Sequence, residues 1–383
     1  MTAADLLYSD TERELAAALA DLLAERAAPG DVLARTEKSD TYDAELWRAV
    51  AADIGLAGLL IPEPLGGAGA SYRELAAAAE QLGASVAPVP YLGSATVATA
   101  ALLSATKASS PLAADLLRRM ADGTVTVALA VEFPARPGVR PPASARVAGA
   151  RPGDDPGTTR LRGTIKAVAD ALPADLLLVP AEGVPNGLYL VEGAAPGLHR
   201  MPLISLDMTR QLCEISLDDT PARQLTVGDA AVDAVDVGLT AGAVVIAAEQ
   251  LGVAQRCLDM TVAYLKERRQ FARPVGSFQA LKHRLADLWT TIALARAASR
   301  YAASCLASGD PDAPVAVALA KSACCDAAVT AAQECVQLHG GIGFTWEHPA
   351  HLYLKRAKAS SIAFGTPGEH RAALAGLVNL PAP

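Results

Sequence analysis

Residues Tyr264–Leu288 read YLKERRQFARPVGSFQALKHRLADL. A charged, helix-compatible run breaks at Pro274 and Gly276, and a new apolar periodicity begins at Phe278. Proline lacks the amide that a helix interior needs, and glycine favours turns, so the stretch reads as the joint between two helices. Upstream, Val244, Ala248, Leu251, Leu258, Val262 and Leu265 step by three, four or seven residues. That spacing predicts an apolar stripe along about six turns of helix. Downstream, a second helix is expected from about Phe278 to Leu306. A third should start near Pro314 and stop at Gly340–Gly341, and a fourth should run from near Pro349 to Gly365. Four long helices joined by short loops read as an up-down bundle.

Further toward the N-terminus the texture differs. DTERELAAALADLLAER, Asp10–Arg26, places Leu15, Leu19, Leu22 and Leu23 on one helical face. Ser71 stands three residues before Glu74, the spacing of a capping box at a helix start. Between these helices and the bundle lie short apolar runs at Val125–Val131, Asp175–Ala181, Gly187–Glu192 and Cys213–Thr220, separated by turn formers. Strands without long helices between them predict a small antiparallel sheet or barrel. No Gly-x-Gly-x-x-Gly fingerprint follows a strand, so a Rossmann domain is not expected. The expected fold is α+β and multidomain: a helical domain over 1–122, a small antiparallel β barrel over 123–228 and a four-helix bundle over 229–383.

Composition limits the function classes. Of 383 residues, 51% are hydrophobic and 19% charged, enough apolar material for large cores. A formal net charge of −8 argues against nucleic-acid binding. No uninterrupted apolar run approaches the ~18 residues of a membrane span. The opening MTAADLLYSDTERELAAALADLL lacks a basic region followed by an apolar core, so it reads as an amphipathic helix and not a signal peptide. Cys213, Cys257, Cys305, Cys324, Cys325 and Cys335 have no zinc-ligand spacing. They read as small buried residues of a protein from the reducing cytoplasm, with no metal site.

A second joint, QLHGGIGFTWEHP (Gln337–Pro349), and the N-terminal LAGLLIPEPLGGAG (Leu56–Gly69) complete a pattern. Together with Tyr264–Leu288 they resemble the acyl-CoA dehydrogenase family of flavoproteins. The resemblance implies a helical, β-barrel and helical domain order, packed as a tetramer, with FAD lying across a subunit interface. In that family a glutamate removes the α-proton of an acyl-CoA thioester while a hydride passes from the β-carbon to the flavin. Carried over by position, Arg268 would reach the FAD pyrophosphate of a neighbouring subunit. Phe271 and Gln279 would line its adenosine, Gln337 and Gly341 would let backbone approach it, and Thr366 would stand beside the flavin. A guanidinium can hold a diphosphate bidentately, and adjacent glycines remove the Cβ atoms that would keep a cofactor away. His283 and His339 read as structural residues.

The departures are equally specific. In IAFGTPGEH, Ile362–His370, the place of the family's glutamate carries Phe364, and a phenyl ring moves no proton. Some members supply the base from the first bundle helix, and there this chain has Gly242 followed by Ala243. AVEFPARPGV, Ala130–Val139, keeps only Glu132 and Pro134 of a flavin-binding segment. GTIKAVADALPAD puts Ala167 and Ala169 where the family has an aromatic and a hydroxyl residue. What survives faces a neighbour, and what is lost serves the chain's own site. This pattern is similar to the actinobacterial heteromeric branch of the family, in which two unlike chains form an α2β2 tetramer and several members act on steroid side-chain CoA thioesters. The expected role is the base-less supporting subunit of such an enzyme. Two other readings stand beside it: a homotetrameric or homodimeric flavoenzyme with a base relocated to Glu249 or Glu369, and a non-catalytic acyl-CoA-binding scaffold.

Overall fold

The computed structural model describes residues 6–38, 42–141 and 144–380. The helices, in chain order, are α1 (Asp10–Arg26), α2 (Pro29–Thr36), α3 (Ala44–Arg48), α4 (Tyr72–Ala84), α5 (Thr99–Lys107) and α6 (Pro111–Met120). Strands β1 (Val127–Leu129), β2 (Ala145–Gly149), β3 (Thr158–Ala169), β4 (Leu176–Ala181), β5 (Gly187–Glu192), β6 (Leu198–Pro202) and β7 (Leu212–Val227) follow. After them come α7 (Asp229–Glu267), a small hairpin of β8 (Arg269–Gln270) and β9 (Arg273–Pro274), α8 (Gln279–Ser308), α9 (Ala313–His339), α10 (Ala350–Ile362) and α11 (Pro367–Leu377). The helices, sheet and bundle expected from the sequence are all present.

The described residues gather into two compact units, one from residues 6–38, 72–87 and 244–380, the other from residues 42–71, 88–141 and 144–243. In the first unit α1 starts at a reciprocal capping box between Ser9 and Glu12, and Leu19 and Leu23 are buried. Helices α4 and α7 meet backbone to backbone. A Cβ added to Gly83 would fall 2.1 Å from the Glu249 carbonyl oxygen, and one on Gly252 would fall 1.9 Å from that of Glu80. Any larger residue at either position would force the helices apart. The stripe expected along α7 lies inward, with Val244, Ala248, Leu251, Leu258 and Leu265 buried.

In the second unit the strand order is β1-β4-β5-β7-β3-β2, with β6 also paired to β7. The sheet is mixed, because β1 runs parallel to β4 while the other pairings of these strands are antiparallel. No closed barrel forms among the described residues. One parallel bridge, Arg146 with Glu182, brings β2 back toward the end of β4, and a single bridge is not a ladder. The core of this unit includes Leu161, Ile165, Leu177, Val179, Tyr189, Val191 and Ile215. Two apolar helical stretches, Asp229–Glu267 and Ala313–Phe344, are long enough to cross a bilayer, but 67% of each apolar window is buried inside the protein, as in core helices.

Candidate functional site

The sequence-predicted residues of the bundle occupy three turns. At the first, α7 ends and Arg268 donates its backbone N–H to the Tyr264 carbonyl at 2.9 Å. The chain returns through the β8–β9 hairpin, where Val275 N–H meets the Arg268 carbonyl at 2.7 Å. The hairpin tip is Phe271 and Ala272, with φ of 53° and 62°. This left-handed pair suits a two-residue turn but is costly for residues with a Cβ, roughly 1–3 kcal/mol each. Phe271 at this tip is 87% exposed. Its ring meets Phe278 edge-on at 6.2 Å, and the Arg273 guanidinium lies 3.9 Å over the Phe278 ring. Arg268 and Gln279 are also exposed.

At the second turn α9 ends on His339, and Gly340 follows with φ of 64°. A Cβ on Gly340 or Gly341 would meet nothing within 4 Å, so both present open backbone. Gly343 differs, since its Cβ would lie 2.5 Å from the Val336 carbonyl oxygen. Gln337 is exposed, as are Phe344 and Trp346, with Lys355 stacked 4.1 Å from the Trp346 ring. Behind this turn His339 is buried, and its ring stacks on Tyr264 with centroids 4.5 Å apart. Its Nδ1 lies 2.7 Å from the Cys335 carbonyl oxygen, which can only accept, so Nδ1 carries the proton. A hydrogen bond from Cys257 draws the Cys335 thiol down, against the opposing effect of burial, and His339 adds to the pull. All six cysteines are buried and unbridged.

The third turn joins α10 to α11 and is closed. Phe364 is 4% exposed with φ of 51°. The His370 ring Nε2 donates to its carbonyl at 2.8 Å. Lys321, fully buried, donates from Nζ to the carbonyls of Gly365, Ser360 and Ser361 at 3.0, 3.3 and 3.4 Å. A lysine at the carbonyl end of a helix satisfies orphan acceptors and complements the dipole. Thr366 is the N-cap of α11, engaged in a capping box with Glu369: its backbone N–H and its hydroxyl both donate to Glu369 Oε2 at 2.8 Å.

The other carboxylate considered as a base is engaged too. Glu249 is buried on α7, with Arg356 Nη1 and Ser360 Oγ each 3.2 Å from one of its oxygens. Gly242 is buried in the same helix. In the sheet unit, the two segments that depart from the family pattern lie side by side, with Phe133 N–H donating to the Ala167 carbonyl at 3.0 Å. Ala167 sits at φ of 50° within a bulge of β3.

Comparison with known proteins identifies the family. The acyl-CoA dehydrogenase N-terminal domain model matches residues 9–124, and the C-terminal domain model matches residues 232–376. The chain belongs to the acyl-CoA dehydrogenase family. It is 36% identical over 351 residues to the acyl-CoA dehydrogenase IpdE2 of Mycobacterium tuberculosis, covering 92% of each chain. Among solved structures, the Tcur3481–Tcur3483 steroid acyl-CoA dehydrogenase G363A variant matches with a TM-score of 0.82 at 30% identity, over 97% of this chain and 98% of that one. The ChsE4–ChsE5 complex from Mycobacterium tuberculosis matches with a TM-score of 0.83 at 28% identity, over 99% of this chain and 100% of that one. Acyl-CoA dehydrogenases are FAD-dependent oxidoreductases, so FAD is the cofactor of this family.

Sequence reading missed Lys321, Arg356 and the Tyr264–His339 stack. Lys321 and Arg356 belong to no motif picked out in the sequence. The one available signal was their place in apolar helical runs, at positions where a charge must find a buried partner.

Proposed function

We propose that this chain is the base-less supporting subunit of a heteromeric acyl-CoA dehydrogenase, completing the FAD site of an unlike partner. The observation that carries the reading is Phe364, sealed in a buried turn by His370 and Lys321. Both carboxylates considered as a relocated base are engaged elsewhere. Glu369 is spent on the α11 cap and Glu249 on Arg356. A base must lie within about 3 Å of the proton it takes, so a carboxylate held in an interhelical ion pair does not replace the lost one.

The residues facing outward fit the adenosine diphosphate part of FAD. Arg268 is an exposed guanidinium, Phe271 an exposed aromatic tip, and Gln337 and Gly341 offer an exposed amide and open backbone. Arg268 would pair with the pyrophosphate and Phe271 with Gln279 would flank the adenosine. Those that would hold the flavin ring inside this chain fit poorly, since Ala167 and Ala169 supply neither an aromatic face nor a hydroxyl. When bound, FAD supplies the hydride acceptor, and this chain's part is to hold and orient it from the partner's far side. An acyl-CoA thioester is the expected substrate, and the steroid-directed and paired relatives support a steroid side-chain thioester and an α2β2 assembly.

Flavin stoichiometry tests the proposal. The purified chain alone should be colourless, and co-purified with a glutamate-bearing family chain it should carry about one FAD per pair of unlike chains. A chain that alone binds one FAD per copy and oxidises an acyl-CoA would end this reading.

A further inference from the structure

Within the bundle, the segments proposed to meet FAD come from different helices, and something must hold them in register. Arg268 and Phe271 follow the end of α7, whereas Gln337 and Gly341 bracket the end of α9. One aromatic stack, built on the buried His339 ring, connects these ends. The His339 ring lies 4.5 Å from Tyr264 at an interplanar angle of 29°, and 4.3 Å from His348 at 44°. Tyr264 is tied to the hairpin, because its carbonyl accepts the Arg268 N–H. His348 is tied to the next helix, because its Nδ1 accepts the Ala350 N–H at 3.2 Å. His339 itself is fixed by its Nδ1–H bond to the Cys335 carbonyl, one turn back along α9.

We infer that His339 is a positioning residue, whose ring between Tyr264 and His348 locks the arginine hairpin and the glycine turn into one FAD-contacting surface. This rests on the supporting-subunit reading above and adds to it the device that keeps the surface rigid. The geometry favours this role over a contact with FAD, since His339 is 3% exposed and its ring is in contact with those of Tyr264 and His348. Preorganisation of that kind lowers the ordering cost of binding, so removing it weakens affinity without touching the reacting atoms.

The test uses the assembled complex of this chain with its partner, and FAD as the probe. His339→Ala should raise the FAD dissociation constant by about tenfold, the scale of losing one or two aromatic contacts. Turnover at saturating FAD should stay within about twofold of the unmodified complex, which a general loss of structure would not allow. His339→Phe keeps a stacking ring and should recover most of the affinity. Tyr264→Leu breaks the same stack from its less buried side and should repeat the loss, so the inference remains testable if His339→Ala folds poorly. Arg268→Ala separates the two ideas. If Arg268→Ala loses FAD while His339→Ala and Tyr264→Leu bind it normally, the positioning role is wrong and the supporting-subunit reading stands. If Arg268→Ala also binds FAD normally, the supporting-subunit reading fails.

Discussion

The turns that end α9 and α10 make an instructive pair. Both pass through a left-handed residue, Gly340 with φ of 64° and Phe364 with φ of 51°. The first is open: a Cβ at Gly340 or Gly341 would meet nothing. The second is shut, with His370 and Lys321 bound to its carbonyls and the phenyl ring buried. By the family resemblance, the second turn is where the common arrangement carries the proton-abstracting glutamate, other members supplying it from the first bundle helix. Here that turn is closed around a phenyl ring, whereas the turn after α9 leaves its backbone open. A chain that keeps one and not the other fits the proposed role of completing a partner's site.

The strongest way to break this comparison is to disturb the inward-facing cluster. Arg356→Ala would leave Glu249 buried without its ion-pair partner, at a cost of about 3–5 kcal/mol, read as a lower urea midpoint. Glu249→Gln should cost less and leave the turnover of the assembled complex unchanged; a collapse of turnover with normal folding would make Glu249 a base after all.

Phe364→Glu asks whether the missing carboxylate is the whole difference. Exchanging a buried phenyl ring for a carboxyl should destabilise the chain by about 2–4 kcal/mol. The variant alone should still show no acyl-CoA oxidation, because Ala167 and Ala169 remain unsuited to a flavin ring. Activity from that single substitution would mean the site is otherwise intact.

On the outward side the effects are smaller in stability and larger in binding. Arg268→Ala should leave the melting temperature of the chain nearly unchanged but weaken FAD retention in the complex by about 10–150-fold, the range of a lost charge-assisted contact. Gly341→Ala sharpens the contrast most. With open space for the Cβ it should change stability by less than about 0.5 kcal/mol, yet lower FAD retention if backbone approach is what the glycine provides. An unchanged spectrum and affinity would remove Gly341 from the proposed surface.

Much of this was legible in the sequence, for identifiable reasons. Helices α7 to α10 have continuous apolar stripes and proline or glycine ends, so periodicity placed them. Strand β5 was found at its observed limits, Gly187–Glu192, because a compact apolar run is flanked by turn formers. Strand β3 escaped, since Arg160, Arg162, Gly163 and Lys166 break up its alternation and two register shifts interrupt its pairing with β7. The parallel partnership of β1 with β4 could not be read either, because strand direction is set by connections and not by side-chain alternation.

The same division holds at the site. Sequence alone determined that neither Phe364 nor Gly242 can hold a proton, because residue identity decides that, and the family resemblance implies that these are the positions where a carboxylate is wanted. It also determined the motif that resembles an acyl-CoA dehydrogenase, because close backbone approach and a fixed cation demand particular residues at particular spacing. Tertiary structure decided what the remaining carboxylates do. Glu249 met Arg356 across 107 positions of sequence, and Lys321 reached the Gly365 carbonyl across 44. Such pairings depend on where helices cross, and burial of a charge gains its meaning only from the partner that the crossing brings to it.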